Sequence, residues 1–184
     1  HGSLVLARNG AVAARYFSPE GQVGKADLRT IGRTVIGSQI TNLDAEPWYA
    51  RQELALGAAG QARLRRLRVA VVGLGGIGSV VAMQLAHLGV AELILIDGDL
   101  VEASNVSRIV GASRINIGRP KVEVAANYAL NLGLNRRIER VNQFLSPTHE
   151  SLFASCDIVV GCVDRMTPRA LLNRWSYKYL VPFI

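Results

Sequence analysis

Cysteine is scarce in this chain: two in 184 residues, Cys156 and Cys162, too few for a disulfide framework. No pair of Cys-x-x-Cys knuckles occurs, which implies that no structural zinc lies in this stretch. Charge is low at 19% against 49% hydrophobic residues, and that balance excludes intrinsic disorder as the main state. A clean membrane span is also lacking. Residues 69–91 carry no Asp, Glu, Lys or Arg, but they hold Gly73, Gly75, Gly76, Gly78 and Gly89. Glycine costs a helix interior about 1 kcal/mol each, so this cluster reads as a turn and not as the middle of a span. The chain opens at His1 with no methionine and no secretory signal, so the true N-terminus is expected to lie elsewhere. These absences lead to the expectation of a soluble, cytoplasmic α/β protein with no membrane segment.

What is present is an excess of positive charge, +7 overall. Residues 1–60 carry six Lys/Arg against five Asp/Glu, and residues 61–184 carry fifteen against nine. The second part therefore suits a polyanionic ligand, a nucleoside triphosphate or a nucleic acid. Arg63, Arg65 and Arg66 have a plainer explanation as residues that solvate a helix end.

The first 45 residues read as β-rich. Residues 3–7 and 11–17 flank Arg8-Asn9-Gly10, and Asn-Gly between apolar runs signals a hairpin because both residues accept positive φ. A second turn lies at Ser18-Pro19-Glu20-Gly21, and residues 31–36 form a candidate third strand. So few short strands are marginal alone, which suggests part of a fused accessory domain. From residue 46 the pattern becomes strict alternation. A helix over 47–67 with a break near 57–60 precedes a strand at 68–72, a helix at 77–88 and a strand at 93–97. A helix at 120–132, with Pro in its first turn, is followed by strands at 138–141 and 157–161, a helix at 167–179 and the start of a fifth strand at 181–184. Apolar strands separated by helices predict a Rossmann-like, doubly wound, mainly parallel sheet with helices on both faces. The chain stops inside the last strand, so the domain of residues 46–184 reads as incomplete.

Gly73-Leu74-Gly75-Gly76-Ile77-Gly78 comes after the first of these strands and opens a helix, satisfying G-x-G-x-x-G through Gly73, Gly75 and Gly78. Gly75 and Gly76 leave bare backbone N–H groups at the positive end of that helix, where phosphate binds. Asp97 ends the next strand, at the distance where an acidic side chain meets ribose hydroxyls. The next segment is unlike a plain dinucleotide site: Asp97-Gly98-Asp99, then Asn105 and Arg108, then Gly118-Arg119-Pro120-Lys121, and Asp164 after the fourth strand. Ligands of open α/β sheets bind outside the carboxyl ends of the strands, so these groups share one crevice. Two cations aimed at a phosphate chain, with a carboxylate free to hold Mg²⁺, are what triphosphate chemistry needs. Taken singly, Arg108 also reads as a surface arginine, Lys121 as an exposed helix-start lysine and Asp164 as a helix N-cap. Cys162 reads as a small apolar residue and not a nucleophile, and His87 as packed on an apolar helix.

Together these residues resemble the adenylation domain of the ThiF/MoeB/HesA family, bacterial relatives of the ubiquitin-activating enzymes. The likeness runs through GLGGIGS (73–79), LIDGDLVEASNVSR (95–108), IGRPK (117–121), CVDR (162–165) and Arg169 with Asn173. It extends upstream to Tyr49-Ala50-Arg51-Gln52 and the Leu56-Gly57…Gly60-Gln61 stretch. The resemblance implies that ATP binds with Asp97 on the ribose, Asn105, Arg108 and Lys121 on the phosphates, Asp99 in the same nucleotide-binding set, and Asp164 on Mg²⁺. It also implies a homodimer in which Arg51 enters the neighbour's nucleotide site. Arg165 departs from the pattern, standing where the family usually has asparagine. The implied reaction is ATP-dependent adenylation of the C-terminal glycine of a ubiquitin-like or sulfur-carrier protein. The alternatives are adenylation of a carboxylate on tRNA, an NAD-dependent oxidoreductase, and a nucleotide-binding scaffold without turnover.

Overall fold

The computed structural model describes residues 2–6, 12–17, 23–26 and 46–184, and the chain divides into two units, His1–Asp44 and Ala45–Ile184. In the first unit, strands β1 (Gly2–Leu6), β2 (Val12–Phe17) and β3 (Val23–Ala26) form an antiparallel sheet in that order. The register pairs Leu4 with Ala14 and Arg15 with Lys25. The β1–β2 pairing agrees with the hairpin expected around Asn9-Gly10. That turn, the turn at residues 18–21 and the candidate strand at residues 31–36 lie outside the described residues.

The second unit opens with a 3₁₀ turn, Pro47–Tyr49, and helix α1 (Ala50–Leu64). Gly57 breaks α1 with φ 70° and ψ 159°, a conformation open to glycine and strained for other residues. Four parallel strands come next: β4 (Arg68–Val72), β5 (Glu92–Ile96), β6 (Arg137–Val141) and β7 (Ile158–Gly161). Their spatial order is β6-β5-β4-β7. The chain thus runs outward from β4 through β5 to β6, then returns to the other side of β4 at β7. The carboxyl ends of β4 and β7 are the point where the winding reverses, which is where a doubly wound sheet opens a crevice. Phe183 meets Val159 at one parallel bridge, with the Val159 amide donating to the Pro182 carbonyl (2.9 Å) and the Ile184 amide to the Val159 carbonyl (3.0 Å). The fifth strand expected at residues 181–184 is therefore represented by its first ladder contacts.

Alternation along β4 and β5 builds two cores, one on each face of the sheet. Val69, Val71, Leu93 and Leu95 pack on Ala82 and Ala86 of α2 (Gly76–His87) and on Val122, Ala126 and Ala129 of α3 (Lys121–Leu132). Ala70, Val72, Ile94 and Ile96 pack on Phe153 of α4 (Glu150–Ala154) and on Leu172 and Trp175 of α5 (Met166–Tyr179). Each large aliphatic side chain so buried contributes about 1.5–3 kcal/mol. Register ties the two strands residue for residue, Val69 to Leu93 and Val71 to Leu95, so a slip by one would exchange the two cores.

The structure corrects two expectations. Pro120 sits at the N-cap of α3 and not inside its first turn, its carbonyl accepting from the amides of Glu123 and Val124. His87 is exposed, not packed: Ala82 and Ala86 make the inward face of α2, and His87 falls one position round, its Nε2 within 3.3 Å of the Tyr128 hydroxyl. Among the described residues no helix is long and apolar enough to cross a membrane.

Candidate nucleotide-binding site

The turn from β4 into α2 is shaped by where its glycines cannot carry a side chain. Gly73 has φ +87°, and a Cβ there would lie 2.7 Å from the Cys162 carbonyl oxygen on the neighbouring β7 connection. A Cβ on Gly78 would run into the carbonyl of Gly73. These two positions let the helix start and the strand end close on each other. Gly75 has open space where its Cβ would be, and Gly76 lies against the aliphatic stem of Arg108. Gly75 is the N-cap of α2 with no side chain to cap it, which leaves amides at the positive end of the helix turned to the crevice.

Asp97 comes directly after β5 and is almost wholly buried, 8% exposed. Its Oδ2 accepts from the Leu74 amide (2.6 Å) and its Oδ1 from the Asp99 amide (2.8 Å). The carboxylate thus braces the glycine turn, and each oxygen keeps a lone pair for a further donor. Asp99 holds Lys121 twice: its Oδ2 accepts from Nζ (2.7 Å) and its backbone carbonyl from the Lys121 amide (3.0 Å). Lys121 is the first residue of α3.

Asn105 is buried, and its Oδ1 accepts from the Glu102 amide while Glu102's carboxylate takes the Asn105 amide in return. This reciprocal cap fixes the turn from which Arg108 projects. Arg108 Nη1 donates to the Ser104 carbonyl (2.9 Å), which leaves its other donors turned outward.

Asp164 is exposed just beyond β7 and makes no hydrogen bond or ion pair among the described residues. The alternative that it caps α5 is corrected: the N-cap is Arg165, and no side chain caps that helix. The carboxylate is left free because the cap position falls one residue later. Cys162 is partly buried and burial pushes its thiol up, away from the nucleophilic thiolate. Cys156 is fully buried, its thiol within 3.2 Å of the Leu152 carbonyl.

These groups meet in one cleft of about 880 Å³. Gly73, Gly75, Gly76, Asp97, Asp99, Asn105, Arg108, Lys121 and Asp164 all line it. Gly78 does not, since its role is the close approach to Gly73. Arg51 is exposed on α1 and is not among the lining residues. Sequence reasoning missed Phe144 and Leu145, which wall the cleft at the carboxyl end of β6. Phe144 is 62% exposed, and Gly98 admits it, because a Cβ there would sit 2.7 Å from the Phe144 amide. An aromatic residue just past a parallel strand was the available signal.

A glycine-turned helix start, a buried acid and two cations at the switch point of a doubly wound sheet define a nucleotide-binding α/β domain. Residues 49–184 match the ThiF family, and the chain belongs to it. It is similar to the molybdopterin-synthase adenylyltransferase of Salmonella typhimurium, 37% identical over 139 residues, which cover 74% of this chain and 56% of that protein. It is also similar to the adenylyltransferase and sulfurtransferase uba4 of Aspergillus clavatus, 34% identical over 164 residues, 83% of this chain and 32% of that one. Among solved structures it is similar to E. coli tRNA N6-threonylcarbamoyladenosine dehydratase, TcdA, in complex with ATP. The TM-score is 0.70 at 27% identity, covering 77% of this chain and 60% of that one. The chain thus spans between 32% and 60% of the length of these relatives.

Proposed function

We propose that this chain carries the adenylating site of an enzyme that activates a carboxylate with Mg·ATP, the carboxylate being the C-terminal glycine of a ubiquitin-like or sulfur-carrier protein. The observation that supports this most is the convergence of Arg108, Lys121 and Asp164 with the glycine turn and Asp97 on one cleft. A carboxylate oxygen attacks the α-phosphorus, the bond from that phosphorus to the bridging oxygen breaks, and pyrophosphate leaves. The chain contributes position and charge: Asp97 on the ribose, amides of the glycine turn with Arg108 and Lys121 on the phosphates, each preorganised donor worth about 2–4 kcal/mol at the transition state.

Mg²⁺ fits Asp164, a cleft carboxylate with no partner among the described residues, since this ion is held by one or two carboxylates together with phosphate oxygens and water. Among the described residues no group of three or more His, Cys, Asp and Glu stands together. When bound, the ion would neutralise phosphate charge. Arg51, exposed and outside the cleft lining, suits action from one protomer of a homodimer on its partner's site, in an ATP-consuming reaction of the cytoplasm.

The test is ATP–pyrophosphate exchange. Lys121→Ala should keep the fold and lower exchange by about 30- to 1,000-fold, the range for one preorganised donor. Exchange at the wild-type rate would remove Lys121 from the mechanism. A second reading, a carboxylate borne on tRNA, draws on the likeness to TcdA and on the basic excess of residues 61–184. The same assay run with a ubiquitin-like protein or with tRNA as acceptor separates the two.

A further inference from the structure

Four acids and three cations line the cleft, and two of these seven groups, one of each sign, have no partner among the described residues. Of the acids, Asp97 is held by two amides, Asp99 by Lys121, and Glu102 by the Ser104 hydroxyl and the Asn105 amide. Asp164 has no partner among the described residues. Of the cations, Lys121 is paired with Asp99 at 2.7 Å, and Arg108 donates to the Ser104 carbonyl. Arg165 also lines the cleft and makes no hydrogen bond or ion pair among the described residues, not even with the adjacent Asp164.

The helix start at Arg165 adds partial positive charge beside it. Arg165 is the N-cap of the 14-residue helix α5, whose first amides, those of Met166 and Thr167, receive no side-chain cap. Thr167 and Pro168 line the same cleft, so this helix start faces it. Pro168 has no amide N–H to offer. The strand β7 and the helix α5 thus deliver, at their junction, an unpaired guanidinium beside uncapped amides, in the cleft that the glycine turn also lines. A guanidinium presents a planar fork of donors that matches the two oxygens of a phosphate or carboxylate, and an uncapped helix start adds a partial positive charge.

We propose that Arg165 is a further substrate-binding residue of the cleft, gripping an oxyanion of the reactants: a nucleotide phosphate, or the carboxylate to be activated. The proposal rests on the adenylation reading above.

The test uses the full protein with Arg165→Asn and Arg165→Lys. Equilibrium binding is measured for Mg·ATP and for AMP, and KM for the acyl substrate is measured in pyrophosphate exchange. Loss of one charged fork should weaken one of these by about tenfold, with lysine recovering part of it, while melting temperature stays at the wild-type value. Weaker Mg·ATP with unchanged AMP places the oxyanion on the outer phosphates. Weaker binding of both places it on the α-phosphate. A raised KM for the acyl substrate with unchanged nucleotide binding places it on the carboxylate. If all three stay within about twofold of wild type in the asparagine variant, Arg165 is a solvated surface residue and the proposal falls. Wild-type protein that binds no Mg·ATP at all would overturn the adenylation reading instead, so the two failures differ.

Discussion

Asp97 combines two duties in one buried carboxylate. It lines the cleft, and it ties the amides of Leu74 and Asp99 into a fixed turn. Asp97→Asn keeps the shape but can present only one oxygen to the two amides. The other amide then meets an NH₂ group, and a buried donor left unmet costs about 1–3 kcal/mol. The variant should therefore unfold at lower denaturant concentration and bind nucleotide more weakly, both read on the same preparation. Loss of affinity with unchanged stability would mean that the brace carries no weight. The place of Asp97 beside the glycine turn was legible from spacing alone, because strand, glycine turn and acid follow at fixed intervals. The bracing role was not, since a hydrogen bond from residue 97 to residue 74 exists only once β4 and β5 lie side by side.

Elements repeat this division. The interval 68–72 is a strand in both readings because five consecutive residues, four of them buried, leave no helical face to show. The break in α1 was likewise legible at Gly57, where a residue with no Cβ stands in a helical run. β3 at residues 23–26 and α4 at residues 150–154 were not anticipated: four or five residues hold too little of either period to register. Short capped turns such as Ala103–Asn105, which carry the site, are set by reciprocal side-chain bonds and not by periodicity. At the amino end of β5, Glu92 lies among Arg136, Arg68 and Arg137, and its hydrogen bond from Arg136 holds its carboxyl below the usual 4.5. A depressed carboxyl stabilises the fold above its unfolded value and loses that contribution as pH falls through the folded one. Stability should accordingly decline below pH 4.5, and Glu92→Gln should flatten that part of the curve in denaturant titrations at stepped pH. An acid limb as steep in the variant as in the wild type would exclude Glu92 from it.

For the whole molecule, the alternation of elements from residue 46 onward sufficed to anticipate a doubly wound sheet, and the switch point between β4 and β7 then dictated where the cleft lies. Alternation could not reveal which connection walls the cleft, because Phe144 reaches it through a loop whose path depends on tertiary packing. Ligand specificity is a property at this scale. Mg·ATP at a hundred times its dissociation constant should stabilise the folded state by about 2.7 kcal/mol and raise the melting temperature by roughly 5–10 °C. NAD with or without magnesium should leave it unmoved, and a larger shift with NAD would favour the oxidoreductase alternative. The Asp97 brace also bears on how fast a nucleotide is caught. The chain's own bonds from the Leu74 and Asp99 amides to Asp97 hold the loop that would greet the phosphates, so little rearrangement of it is expected between encounter and capture. Arrival should be governed by diffusion and by the pull of the cations at the mouth, and should slow as added salt screens them.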